Sequence, residues 1–206
     1  MRRVGDTAIA AVTAVALCTG AWLLAGGTGA KAPPQPSAAQ ARTAQTGRGA
    51  AAPALPPSPP DRVRIPAIGV DAPMTGLGLT ETGSLDVPPA EDENLAGWYE
   101  AGTTPGERGT AIVAGHVDNA RGPAVFYRLG ALKKGAVIEV DRRDGGVAVF
   151  TVDAVEVYAA KDFPDAKVYG AADRPELRVI TCGGGYSRST GYQGNVVVFA
   201  HLTGSR

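Results

Sequence analysis

Residues 61–206 predict a mainly β domain, a closed or nearly closed barrel with one or two short helices. Three observations carry that reading. Seven or eight short apolar or alternating runs follow one another at close spacing, turn residues separate them, and helical periodicity is almost absent. A parallel α/β sheet would instead need a helix-length stretch between successive strands. A domain of this length buries about 68% of the surface its unfolded chain exposes, so it can fold on its own.

The elements are read in chain order. Residues 62–68 (RVRIPAI) alternate polar and apolar, as a half-buried strand does, with Pro66 marking an edge. Residues 70–79 form the next candidate strand, 96–99 a weaker one and 109–115 (GTAIVAG) a strong one. Lys133, Lys134 and Gly135 turn the chain into a strand ending near Asp141. Arg143-Asp144-Gly145-Gly146 is a hairpin turn into a strand over 147–157. Residues 123–129 (PAVFYRL) are expected to make one or two helical turns with Pro123 at the first position, and 171–176 another short turn. Residues 177–182 read as a strand that ends at Cys182. A Gly-, Ser- and Tyr-rich loop follows, and a Val-rich strand resumes at Asn195.

Two segments precede the domain. Arg2 and Arg3 stand before an uncharged apolar run over 7–30, long enough to span a bilayer as a helix. The arginines favour a cytoplasmic N-terminus, which places the rest of the chain outside. A cleavable signal peptide is the competing reading, since Ala30-Lys31-Ala32 suits a cleavage site, but the run exceeds the usual signal core of about 7 to 15 residues. The expectation is a single-pass membrane anchor over 1–31. Residues 32–60, rich in Pro, Ala, Gln and Ser, have no apolar period and are expected to be a disordered spacer. The chain has 20 basic and 20 acidic residues, so no basic excess points to nucleic acid.

Cysteine usage narrows the chemistry. Of two cysteines, Cys18 lies in the apolar run, leaving no second cysteine in the exported domain to pair with Cys182. A thiol outside the cell is exposed to oxidation, and its presence is best understood if it does chemistry. Cys182 sits where a strand gives way to three glycines, which offer little bulk to bury a sulfur or block a substrate backbone. An inert core thiol is the competing reading.

The domain has two histidines. His116 follows the strand over 109–115 and is the candidate acid/base; His201, near the C-terminus, is expected to be a surface or strand-end residue. A thiol and an imidazole suffice for acyl transfer if they meet, since an imidazolium beside the thiol favours thiolate and can then protonate a departing amine. An oxyanion donor is also required. Asp118 either orients the imidazole or caps a turn. Trp98, Tyr99 and Phe126 are expected in the core.

The TCGGG run at 181–185, AGHVD at 114–118, GPAVFYRL at 122–129 and FPDAKVYG at 163–170 occur in an order that together resembles a sortase. The order of anchor, spacer and domain is similar as well, and the glycine-rich stretch resembles the actinobacterial class F group. The resemblance implies an eight-stranded barrel and a cysteine transpeptidase without metal or organic cofactor. It implies secreted substrates with a C-terminal LPxTG-like sorting signal, attack by Cys182 on the Thr carbonyl, and resolution of the thioacyl enzyme by a cell-wall amine. Cys182 is then the nucleophile and His116 the acid/base.

Many sortases carry an oxyanion-stabilising Arg near the start of the strand after the cysteine, where this chain reads Tyr192-Gln193-Gly194-Asn195. Arg188 is the first choice for that role, with Gln193 and Asn195 as alternatives. Arg178 lies four residues before Cys182 on one strand, about 13 Å away, and is set aside. Two rivals stand beside the transpeptidase: a hydrolase that resolves the same intermediate with water, and a tethered binding module with an inert Cys182.

Overall fold

The computed structural model describes residues 32–41 and 50–206; the expected anchor over 1–31 lies outside the described residues. Among the described residues no helix is long and apolar enough to cross a membrane. Eight strands close a barrel in the order β1-β2-β3-β4-β9-β10-β8-β7, so the expected mainly β barrel is observed. The strands are β1 (Pro60–Ile65), β2 (Val70–Leu77), β3 (Ala96–Tyr99), β4 (Gly109–Gly115), β7 (Val137–Arg142), β8 (Val147–Ala159), β9 (Pro175–Ser187) and β10 (Gly191–Ser205). A small hairpin, β5 (Asp118–Asn119) with β6 (Gly122–Pro123), stands outside the barrel. Two neighbouring pairs, β2 with β3 and β4 with β9, run parallel, and the remaining barrel pairs are antiparallel.

Alternation along the strands builds two apolar layers. Val63, Ile65, Ile138, Val140, Phe150, Leu177, Val179, Val196 and Val198 point inward to the main core, closed off by Phe126, Leu129 and Leu132. The intervening residues of the β4-β9-β10-β8 face, Ile112, Ile180, Val197, Phe199 and Ala154, point outward. They are covered by Val168 of α1 (Asp165–Tyr169) with Phe163 and Tyr169. Apolar groups on both faces explain why β10 reads as an unbroken Val-rich run rather than an alternation.

Several boundaries differ from expectation. The first strand ends at Ile65, because Pro66 cannot donate to a ladder and opens a 3-10 turn that Gly69 closes at φ 72°. The helix expected over 123–129 is absent: Pro123 belongs to β6, and the only helical geometry nearby is a 3-10 turn at Leu129–Ala131. The short turn expected over 171–176 is replaced by α1, which lies earlier and buries Val168, while β9 begins at Pro175. The turn at 143–146 is as expected, with Gly145 at φ 86°.

The described part of the expected spacer lies on the barrel rather than standing off it. Ala52 N–H donates to Leu202 O and Leu55 N–H to Gly106 O. The Gln40 Oε1 accepts from Lys134 N–H, and Gln35 Oε1 from Gly184 N–H. Proline fixes φ in advance, so such a chain loses little entropy when it docks. Buried Arg142 adds to this by donating to the carbonyls of Pro56 and Pro105.

Candidate active site

Strand pairing sets the site. β4 and β9 pair in parallel as far as Ala114 opposite Ile180. Two residues further along each chain, on the same face by the period of two, come His116 and Cys182. On the other side of β9, antiparallel β10 places Asn195 directly opposite Cys182. His116, Cys182 and Asn195 therefore occupy one rung across three neighbouring chain segments. All three line a cleft on the outer face of the barrel. Its walls are Leu85, Val87, Ala114, Ile180 and Tyr169, with Ser84 and Asp86 at the side formed by the β2–β3 connection.

Cys182 is 9% exposed and Asn195 8%. The expectation of a strand end at Cys182 is corrected. β9 runs through the glycines to Ser187 and stays paired with β10, and it is the partnership with β4 that stops short of the cysteine. Gly184 passes at φ 76°, and a register shift between Tyr192 and Gly194 accommodates the twist. Nor does the sulfur stand as a thiol: Cys182 is disulfide-bonded in this structure. Cys18, the chain's other cysteine, lies outside the described residues. A sulfur lining an open cleft is within reach of another thiol, and reduction must precede any nucleophilic role.

His116 is half-buried, and its Nε2 lies 2.7 Å from Pro88 O. A carbonyl only accepts, so Nε2–H is the donor and Nδ1 is the nitrogen of a neutral ring that can take a proton. Thr181 Oγ1–H donates to Gly115 O at 2.8 Å, joining the neighbours of Cys182 and His116 just beyond the last ladder pair. Asp118 accepts from the Tyr192 hydroxyl at 2.5 Å. Burial, and then the Asp118 carboxylate beside it, push the Tyr192 phenol far above its ordinary value of 10.0. Burial likewise raises Tyr169 to about 12, so the tyrosine in the cleft wall keeps its proton at neutral pH.

The remaining sequence candidates fall elsewhere. Arg188 is exposed in the turn between β9 and β10, six residues beyond Cys182 or up to about 20 Å along a strand, and does not line the cleft. Gln193 is exposed and lies over Gly185, its Oε1 2.9 Å from where a Cβ on that glycine would stand. Arg178 is buried, ion-paired with Glu176 at 2.6 Å and stacked 4.7 Å over the Phe199 ring. His201 is not a surface residue: it is 4% exposed within β10, bonded through Nδ1 to Asp153 at 2.8 Å. Trp98 and Phe126 are core residues as expected, and Tyr99 packs against the outer layer. Among the described residues no group of three His, Cys, Asp or Glu is placed to hold a metal ion.

The Sortase domain model matches residues 63–203. A search of curated proteins finds no match. Among solved structures, sortase A from Listeria monocytogenes superposes with a TM-score of 0.53 at 16% identity, covering 70% of this chain and 87% of that one. Sortase A from Corynebacterium diphtheriae gives 0.53 at 20% identity, covering 72% and 62%. Sortase C-1 from Actinomyces oris gives 0.54 at 19%, covering 69% and 73%. At these identities the likeness is one of fold, and with the domain match over most of the barrel it establishes that the chain belongs to the sortase family.

Proposed function

We propose that this sortase is a cysteine transpeptidase with Cys182 as nucleophile, His116 as acid/base and Asn195 as oxyanion donor. The observation that carries the reading is the single rung of His116, Cys182 and Asn195 at the floor of one cleft. Once reduced, the Cys182 thiolate attacks a substrate carbonyl carbon and forms a tetrahedral intermediate. Asn195, buried and paired directly across from Cys182, donates its Nδ2–H to the developing oxyanion, and low exposure strengthens that hydrogen bond. The intermediate collapses as the C–N bond breaks, and His116 protonates the leaving amine. A second amine, deprotonated by His116, then attacks the thioester and regenerates the thiolate.

The substrate and setting are proposed from family membership. The donor is a secreted protein with an LPxTG-like sorting signal. The apolar cleft wall of Leu85, Val87, Ile180 and Tyr169 supports an apolar side chain in that signal. The acceptor is a cell-wall peptide amine, and residues 1–31 tether the enzyme to the membrane with the barrel outside. The Gly183 to Gly185 run supports placement with class F. Incubation of the reduced chain with an LPxTG-type peptide and an amine tests the reading. Transferred peptide should form with wild type and with neither Cys182→Ala nor His116→Ala. Cleaved peptide without transfer would make the protein a hydrolase, and no turnover would leave a binding module.

A further inference from the structure

Ladder hydrogen bonds fix Cys182 within β9 but do not reach His116. The β4–β9 pairing stops at Ala114 opposite Ile180, and His116 lies past the end of β4. Its position relative to the sulfur therefore depends on contacts made beyond the ladder. Some are local: the Thr181 hydroxyl donates to Gly115 O, His116 Nε2–H to Pro88 O, and Phe126 N–H to the His116 carbonyl. Another ties the segment to the facing hairpin: Tyr192, on the strand that carries Asn195, donates 2.5 Å to Asp118, two residues past His116.

We propose that the Tyr192–Asp118 hydrogen bond is a clasp that holds the His116 loop against the Cys182 hairpin, making both side chains positioning residues for acyl transfer. The proposal rests on the Cys182–His116 reading above. Tyr192 is well placed for the task. Its ring is half-buried and packed edge-on against Tyr186 at 5.1 Å, opposite it in the β9–β10 register. Tyr127 and Tyr186 are further titratable groups beside the Tyr192 hydroxyl. The bond gives Asp118 a partner on the facing hairpin. Releasing it frees the loop at the one point where the chemistry tolerates little movement, because a displacement of about 1 Å can cost on the order of a hundredfold in rate.

The test measures transfer kinetics and thiol alkylation by iodoacetamide across pH on the reduced full chain. Tyr192→Phe should lower kcat about tenfold or more with KM within about twofold, as loss of positioning rather than of substrate binding requires. Alkylation should fall with it, because a nearby imidazolium favours the thiolate. Asp118→Ala should match Tyr192→Phe, the double variant should be no worse than either, and Asp118→Asn, which keeps an acceptor oxygen, should retain most activity. Thermal unfolding separates a merely structural role, which would lower the midpoint and the active fraction but leave the alkylation profile unchanged. If His116→Gln collapses the alkylation profile and Tyr192→Phe does not, the clasp alone is overturned. If His116→Gln leaves the profile intact, the Cys182–His116 reading fails and the clasp falls with it. Single losses that multiply in the double variant would also overturn it.

Discussion

Asn195 and Arg188 make opposite predictions at the scale of single residues. A guanidinium is the stronger donor, but Arg188 sits in an exposed turn away from the cleft, whereas the neutral amide of Asn195 is buried across from the sulfur. Asn195→Ala should lower kcat by about 10² to 10³, the loss typical of one oxyanion donor, while Arg188→Ala stays near wild type. Asn195→Asp should be worse than Ala, since it sets a negative charge beside the developing oxyanion. Single-turnover cleavage of a sorting-signal peptide checks all three, and a large loss from Arg188→Ala with none from Asn195→Ala would reverse the assignment. That Cys182 and His116 are candidates is readable in the sequence, because each is a rare residue beside a strong strand pattern, and the structure brings both to one cleft. Asn195 entered only as an alternative. Which residue of a returning strand lies opposite the cysteine depends on hairpin register, and here a shift between Tyr192 and Gly194 sets it.

Paired strands hold Cys182 and Asn195, and this gives two predictions at the scale of elements. Gly194 runs so close to β8 that a Cβ there would stand 2.1 Å from the Tyr158 carbonyl oxygen. Gly194→Ala should therefore destabilise the fold by about 1–3 kcal/mol and also shift Asn195 beside it, a loss visible in the denaturant midpoint and in turnover. The second concerns Glu176, which β9 carries between Arg174 at 3.0 Å and Arg178 at 2.6 Å. Burial alone would raise its carboxyl, but the Arg178 and Arg174 guanidiniums outweigh that and hold it below its ordinary 4.5. A folded value below the unfolded one gives stability that is present above about pH 4.5 and lost as pH falls through the lowered value. Glu176→Gln should accordingly destabilise the protein at pH 7 and do so progressively less as pH falls below about 4.5, flattening the acid limb of a stability profile. A loss that stays constant as pH falls through the acid limb would contradict it. The glycine run hid the length of β9 because three glycines read as a loop. The short α1 was missed because tertiary packing of Val168 and Phe163 holds its single turn in place, more than any helical period.

Over the whole molecule, the barrel itself was the most legible feature. Short, closely spaced strands leave few other ways to bury their apolar faces, and the eight strands close as expected. The described proline-rich segments were harder to read, since their contacts are backbone hydrogen bonds and side-chain amides that leave no apolar pattern. The proposed anchor over residues 1–31 predicts that the full chain sediments with membranes and that external protease releases the barrel. Recovery of a soluble form beginning near residue 33 would favour a cleaved signal instead. The central claim, acyl transfer through Cys182, is tested most directly by intact-protein mass spectrometry of the reduced chain mixed with an LPxTG-type peptide and quenched with acid before amine is added. The account predicts a mass increase equal to the peptide's N-terminal acyl fragment, located on Cys182, absent from Cys182→Ala and discharged by an added amine. Peptide cleavage by wild type with no adduct, or an adduct that persists in Cys182→Ala, would contradict it.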